Sequence, residues 1–238
     1  MDNTDIYFIS NQSNVTQDAH LRFRVKGLQP ELWNPINGTM RKLTEFSTDG
    51  ETTTVPVVLD KFESAFIVFR EKGRPIAGTK NFPQQEQIAT IKNGWDVQFN
   101  GKLTNPTPIH LEQLQDLATS KEDNIKYFSG NMIYSTTFDF DQEVPEKEQV
   151  YLDLGEVAKM AKVWVNNQYV GGVWTYPYAV DISQALKQGT NTLRIDVVNT
   201  WVNRLIGDTT IPKEERETWV GINPYNPNSP LQKTGLIG

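Results

Sequence analysis

The sequence predicts an all-β protein built from two β-sandwich domains. Short runs in which apolar and polar residues alternate recur along the chain, and turn residues separate them at close spacing. This pattern is typical of antiparallel strands in sandwiches. Of the 238 residues, 37% are hydrophobic, and 16 Gly and 13 Pro supply the turns, a composition typical of a folded chain rather than a disordered one. A chain of this length can form one large or two small domains.

The first sandwich, of the immunoglobulin-like kind, is predicted over residues 1–72. Successive side chains point to opposite faces of a strand, so an apolar residue at every second position indicates a half-buried strand. Residues 66–69 are apolar on both faces. The clearest alternating sets are Leu21, Phe23 and Val25, and Val55, Val57 and Leu59.

Residues 73–87 are predicted to form a linker between the domains. The period of two ends near Glu71, and Gly, Pro, Lys and Gln accumulate as far as Gln87. Because such segments are usually exposed, we expect proteases to cut the chain here.

The second sandwich is predicted over residues 88–238, and its first strand lies within residues 94–99. Asn166 and Asn167 tolerate positive φ, so residues 161–170 predict a hairpin. Helix is expected only as short turns, around residues 110–118 and 182–187. In the second of these, Asp and Ser favour the beginning of a helical turn and Gly favours its end. In this second sandwich, apolar residues alternate with polar ones in two clear strands, at Val150, Leu152 and Leu154 and at Leu193, Ile195 and Val197.

An ordered series of short motifs resembles glycoside hydrolases. Tyr-Phe-Ser-Gly at 127–130, Leu-Asp-Leu-Gly at 152–155, Val-Trp-Val-Asn-Asn at 163–167, and the segments 177–182 and 189–193 resemble the sugar-binding-domain sandwich of family 2, a galactose-binding-like jelly roll. Residues 199–208 resemble the C-terminal region of family 106, the α-L-rhamnosidase-like enzymes. The front of the chain is similar to the same family at residues 6–11, 30–35 and 64–69.

This resemblance implies a non-catalytic region of a larger enzyme. The resembled enzymes carry their catalytic carboxylates on a barrel domain, which takes about 250 residues and does not fit beside two sandwiches here. We therefore expect a segment or truncated product of a longer enzyme, with a catalytic barrel as its partner and with carbohydrate as a ligand to be tested. The isolated chain should hydrolyse nothing, and no catalytic residue is assigned. A periplasmic or secreted location follows if the protein behaves as this family does.

The sequence points away from several other functions. A net charge of −6 without a basic stripe argues against nucleic acid, and no apolar run is long enough to span a membrane. Zero cysteines exclude disulfides and thiolate metal sites. No cofactor or metal motif is present, and His20 and His110 stand apart in sequence, as surface histidines do.

Trp174, Tyr176 and Tyr178 form the first candidate carbohydrate-binding group. Sugars pack their C–H faces on aromatic rings while their hydroxyls need polar partners, and the proline at 177 stiffens this segment. The alternative is that these rings cap the core of the second sandwich.

Trp201, Asn203 and Arg204 form the second candidate group, together with Asn199. Arg204 and Asp208 have the spacing of an ion pair if this segment is helical. The functional interpretation is a sugar or domain-contact site, and the alternative is a network that holds the loop after the last long strand.

Three hypotheses of different classes remain open. The chain is a non-catalytic part of a rhamnosidase-like enzyme, a stand-alone carbohydrate-binding module, or a scaffold or adhesion module without a ligand, since a sandwich fold alone does not decide function. Trp219, in a tail rich in Pro and Asn, either packs on a neighbouring domain or covers the sandwich edge.

Overall fold

The computed structural model describes residues 4–143 and 148–238, and the chain divides into two compact units. Unit 1 comprises Met1–Ile88 and Thr175–Pro177, and unit 2 comprises Ala89–Trp174 and Tyr178–Gly238. The all-β prediction is confirmed, because each unit is built from antiparallel sheets. In this division, residues 73–87 lie in unit 1.

Unit 1 is a sandwich of two antiparallel sheets. A four-stranded sheet has the order β1-β7-β3-β4, and a three-stranded sheet has the order β2-β6-β5. The strands are β1 (Asp5–Ser10), β2 (Gln17–Phe23), β3 (Leu28–Trp33), β4 (Met40–Lys42), β5 (Ser47–Asp49), β6 (Thr52–Leu59) and β7 (Ser64–Lys72).

The core of unit 1 confirms the predicted alternation. Phe23 and Val25 are buried in it, and so are Val55, Val57 and Leu59 of β6. The prediction that β7 is apolar on both faces is also confirmed. Ile67 and Phe69 belong to the core of unit 1, and Val68, on the opposite face of the strand, is fully buried as well. The period of two therefore identified the inward face of each strand correctly.

Unit 2 contains one six-stranded sheet, in the order β14-β13-β16-β10-β8-β9, and two short strand pairs, β11-β15 and β12-β17. Leu236 of β17 is 1% exposed and belongs to the core of the unit. The strands are β8 (Trp95–Asn100), β9 (Ile109–Leu111), β10 (Asn131–Phe140), β11 (Tyr151–Asp153), β12 (Val157–Ala158), β13 (Met160–Val165), β14 (Gln168–Val173), β15 (Ala179–Asp181), β16 (Gly189–Val198) and β17 (Gly235–Leu236).

The predicted hairpin is present as β13 and β14. Asn166 and Asn167 both have positive φ, at 50° and 65°, as the tight turn between two antiparallel strands requires. The Asn166 side chain also donates to the carbonyl of Ala185 at 2.8 Å and accepts from the backbone N–H of Thr192 at 3.0 Å. The turn is therefore fixed both by its backbone geometry and by hydrogen bonds to neighbouring segments.

The helices of the described chain differ in part from the prediction. The single turn at residues 182–187 is confirmed, since the Leu186 N–H donates to the Ile182 carbonyl at 2.9 Å. The short helical segment expected around residues 110–118 is present only at its end, in the 3₁₀ turn Leu117–Thr119, because β9 pairs with β8 at its start. The helical segments are two 3₁₀ turns, Leu117–Thr119 and Lys213–Glu215, and the helices α1 (Asp123–Lys126) and α2 (Val202–Asp208).

Residues 73–87, called the connector below, contain no strand or helix, yet part of this segment is firmly bound to unit 1. Asn81 is 2% exposed. Its amide accepts from the Glu45 N–H at 2.8 Å and donates to the carbonyls of Glu45 at 2.6 Å and Pro56 at 3.2 Å. Lys80 adds an ion pair with Glu45 at 2.7 Å. Buried amides with such partners hold irregular backbone in place.

Candidate functional site

The second candidate group lies on and around helix α2, which follows β16. Residues four apart lie on one side of a helix, and Arg204 Nε is 3.1 Å from Asp208 Oδ1. The predicted ion pair is therefore confirmed. Both side chains are buried, with exposures of 9% and 1%. The Nε–H of Arg204 is not aligned with any acceptor among the described residues, so this contact is a charge pair rather than a hydrogen bond.

Two further groups surround the Arg204 guanidinium. Its Nη1 donates to Glu217 Oε1 at 3.0 Å, and its Cζ lies 5.9 Å from the ring centroid of Tyr127. A Cβ at Gly207 would stand 2.6 Å from Tyr127 Cγ, so only glycine permits this approach of α2 to the ring. One cation thus faces two carboxylates and an aromatic ring inside unit 2.

The Asp208 carboxylate ties the tail, residues 209–234, to α2. It accepts from the backbone N–H of Thr218 at 2.7 Å, from the Thr218 hydroxyl, and from the backbone N–H of Glu217 at 3.3 Å. A carboxylate with these donors and a guanidinium beside it is well compensated for its burial. Asp208 therefore fixes the path of the chain ten residues further on.

Asn203 and Asn199 hold two other segments. Asn203 donates to the carbonyl of Gln232 at 2.7 Å and to the hydroxyl of Thr234 at 3.0 Å, and accepts from the Gln232 N–H at 2.8 Å. Asn199 donates to the Phe128 carbonyl at 2.7 Å. We call Asn203, Arg204, Asp208, Glu217 and Thr218 the tail network. The Asn203 amide, the Arg204 Nη1 and the Asp208 carboxylate are bound by other parts of the protein, which favours the loop-holding alternative for Asn203 and Arg204 over direct contact with a sugar.

The three rings of the first candidate group lie in different surroundings. Trp174 is 51% exposed, whereas Tyr178 is half-buried and packs against the core of unit 2. Tyr176 belongs to unit 1, where Lys61 Nζ lies 4.0 Å from its ring centroid. Among the aromatic residues of the two candidate groups, the most exposed are Trp174 and Trp201, and Trp201 is 44% exposed.

His110 and Glu63 are titratable groups outside the tail network whose pKa values are raised. His110 Nδ1 lies 2.8 Å from Asp96 Oδ1, and this hydrogen bond raises the pKa of His110 above its ordinary 6.5. Burial raises the pKa of Glu63, although a hydrogen bond from the Asp60 backbone N–H opposes this. Among the described residues, no cluster of three or more His, Asp or Glu side chains is suitable for a metal ion. No helix in that part of the chain is long and apolar enough to cross a membrane.

Known proteins are similar to both units. Residues 91–224 match the family described as glycosyl hydrolase 2 galactose-binding domain-like, and residues 1–47 match alpha-L-rhamnosidase. A putative beta-glucuronidase of Formosa agariphila is 32% identical over 200 residues, which are 74% of this chain and 17% of that protein. The solved rhamnosidase of Novosphingobium sp. PP1Y is 38% identical with a TM-score of 0.85, over 98% of this chain and 22% of that one.

The chain spans about a fifth of the length of these two relatives. The galactose-binding-like match, by contrast, extends over more than half of the chain and includes β8 to β16 and helix α2. The chain therefore belongs to the glycosyl hydrolase 2 galactose-binding domain-like family.

Proposed function

We propose that this chain is the non-catalytic accessory region of a rhamnosidase-like glycoside hydrolase and that it supports a catalytic barrel carried by the rest of the enzyme. One observation carries the proposal. The likeness to the Novosphingobium rhamnosidase includes 98% of this chain at 38% identity, yet it accounts for only 22% of that enzyme. Both sandwiches therefore have a counterpart in one larger glycosidase.

The carboxylates of the chain support this proposal. Glycoside hydrolysis uses an acid with a raised pKa opposite a second carboxylate, at about 5–9.5 Å. Glu63 has a raised pKa, but its Oε2 accepts the Asp60 backbone N–H at 2.8 Å and so holds the turn between β6 and β7. Asp208 likewise accepts a hydrogen bond from a backbone N–H, that of Thr218. Both carboxylates are thus hydrogen-bonded to backbone N–H groups of the chain itself.

Activity assays test the proposal directly. The isolated chain, incubated with aryl α-L-rhamnoside and other aryl glycosides, should show only the background rate, whereas the longest natural polypeptide that carries it should hydrolyse one of them. Glu63→Gln is the variant to compare, because Glu63 has the raised pKa that a general acid needs. Turnover by the isolated chain that a single Asp or Glu substitution abolishes would contradict the proposal.

Carbohydrate binding by the chain itself is the second candidate function, and the exposed rings of Trp174 and Trp201 favour it. One ring contributes about 1 kcal/mol beyond its buried area, so the affinity should be in the millimolar range, which corresponds to about −4 kcal/mol. Titration with L-rhamnose and other monosaccharides, followed by NMR, should give shifts that Trp174→Ala or Trp201→Ala removes. No shift with any sugar would leave the accessory role alone.

A further inference from the structure

The tail contains a short apolar loop with unusually exposed side chains. Trp219 is 89% exposed and Ile222 is 88% exposed, and Val220 between them is 42% exposed. Tryptophan is highly buried on average in folded proteins. Covering the sandwich edge, one of the two roles expected for Trp219, would require its ring to be buried, so the structure contradicts that role. The four residues 219–222 are called the apolar loop below.

Both ends of the apolar loop are fixed to helix α2. On one side, Thr218 is bound to the buried carboxylate of Asp208. On the other side, Asn223 donates from its amide to the carbonyl of Leu205 at 2.9 Å and accepts from the Tyr225 N–H at 3.0 Å. The tail network and Asn223 thus hold the base of the loop. A loop held in its binding conformation loses little conformational entropy when it docks, which favours binding.

The chemistry of the apolar loop selects the kind of partner. Its side chains are an indole, a valine and an isoleucine, and the indole N–H is their single polar group. A sugar needs several hydrogen-bonding partners for its hydroxyls, which these side chains do not supply. An apolar cleft of a protein needs none, and tryptophan is enriched among the residues that contribute most to binding at protein interfaces.

We propose that the apolar loop docks into an apolar cleft of the adjoining catalytic domain of the same enzyme, with Trp219 as the anchor. This inference rests on the proposed function. The loop lies inside the galactose-binding-like match at residues 91–224. About four fifths of the similar rhamnosidase lies outside the region that this chain matches, so a large neighbouring domain is available as the partner. The tail network then acts as a support that positions the loop.

Hydroxyl-radical footprinting of Trp219 tests the proposal, with Trp174 as an internal control because it is also exposed. In the isolated chain both rings should be modified readily. In the longest natural polypeptide that carries the chain, modification of Trp219 should fall by about tenfold, as expected for the desolvated centre of an interface, while that of Trp174 changes much less. Equal modification of Trp219 in the two proteins would overturn the inference.

A double variant, Trp219→Ser with Ile222→Ser, gives a second readout. It should leave the melting temperature of the isolated chain unchanged, because the two side chains are exposed there, and should lower that of the longer polypeptide. Protection of Trp219 in the isolated chain, either by added L-rhamnose or by self-association at high concentration, would also overturn the inference. A longer polypeptide that hydrolyses aryl rhamnoside but leaves Trp219 exposed would refute this inference alone, whereas a protected Trp219 without glycosidase activity would refute only the proposed function.

Discussion

The connector of unit 1 and the tail of unit 2 are two irregular segments that are attached in similar ways but differ in where their charges lie. Each is held by a buried amide, Asn81 and Asn203, and both are 2% exposed. Beside Asn81, the side chains of Lys80 and Glu45 are 73% and 26% exposed. In the tail network, the Arg204 and Asp208 side chains are 9% and 1% exposed. The amide sets the path of the chain in both segments, and only the tail adds a buried charge pair.

This difference determines what each attachment costs to break. An ion pair in water is screened and gains little, because two long side chains must be ordered to form it. Formation of a buried ion pair also adds little stability, because desolvation offsets the attraction between the charges. Removing one partner, however, leaves an uncompensated charge in a medium of low dielectric constant. We therefore expect the tail to be far more sensitive to charge-removing substitutions than the connector, and equally sensitive to the loss of its amide.

The largest effect is expected from Asp208→Ala. The substitution leaves Arg204 buried with Glu217 as its remaining partner and removes the acceptor of the Thr218 N–H, which together should cost about 3 kcal/mol of unfolding free energy. Urea denaturation monitors the loss, and hydrogen exchange should show deprotection of residues 217–223. Asp208→Asn, which keeps an oxygen acceptor, should lie between the wild type and Asp208→Ala. If Glu45→Ala destabilised the protein as much as Asp208→Ala, charge burial would not be the relevant difference.

A medium effect is expected from Asn81→Ala and Asn203→Ala. Each leaves buried backbone partners without their hydrogen bonds, and this should cost about 1–3 kcal/mol in either unit. Hydrogen exchange should locate the two losses separately, at Glu45 for the first variant and at Gln232 for the second, because these residues donate to the two amides. A much larger loss for Asn203→Ala would show that the amide and the charge pair of the tail are strongly coupled.

The smallest effect is expected from Glu45→Gln, and it should depend on pH. The hydrogen bond from Lys80, and then that from the Asn81 N–H, lower the pKa of Glu45 below its ordinary 4.5. A carboxyl with a lowered folded-state pKa stabilises the protein above its unfolded-state pKa, and this stabilisation is lost as the pH falls through the folded-state value. The variant should therefore be slightly less stable than the wild type at neutral pH and equal to it in strong acid, as measured by thermal unfolding. A difference that persists in strong acid would show that Glu45 acts through packing rather than charge.

Local patterns in the sequence predicted most of the fold. The period of two at Val55 and Val57, and at Leu193 and Ile195, identified buried faces because strand geometry imposes that period directly. The Asn166-Asn167 turn was also predictable, because few residues other than glycine and asparagine accept positive φ. These signals lie within a few adjacent residues and need no knowledge of what the segment packs against.

Helix α2 and the tail network could be predicted only in part. The spacing of Arg204 and Asp208 indicated an ion pair, but Trp201 makes no side-chain cap, and valine, asparagine and glycine within α2 are poor helix formers. The helix is stabilised by contacts distant in sequence, such as that of Gly207 with Tyr127. Glu217 and Thr218 carried no pattern at all, because their role depends on where an irregular tail returns to the helix.

The pairing of β17 with β12 has a consequence for the order of events during synthesis. Leu236 fills a position in the core of unit 2, and its N–H donates to the buried phenol oxygen of Tyr134 at 3.2 Å. A ribosome adding about 5–20 residues per second completes every strand of unit 1 long before Leu236 is made. The first sandwich is therefore free to fold while the nascent chain is still growing, whereas the second must wait for its last core residue to emerge. Until then, the core of unit 2 lacks the side chain of Leu236.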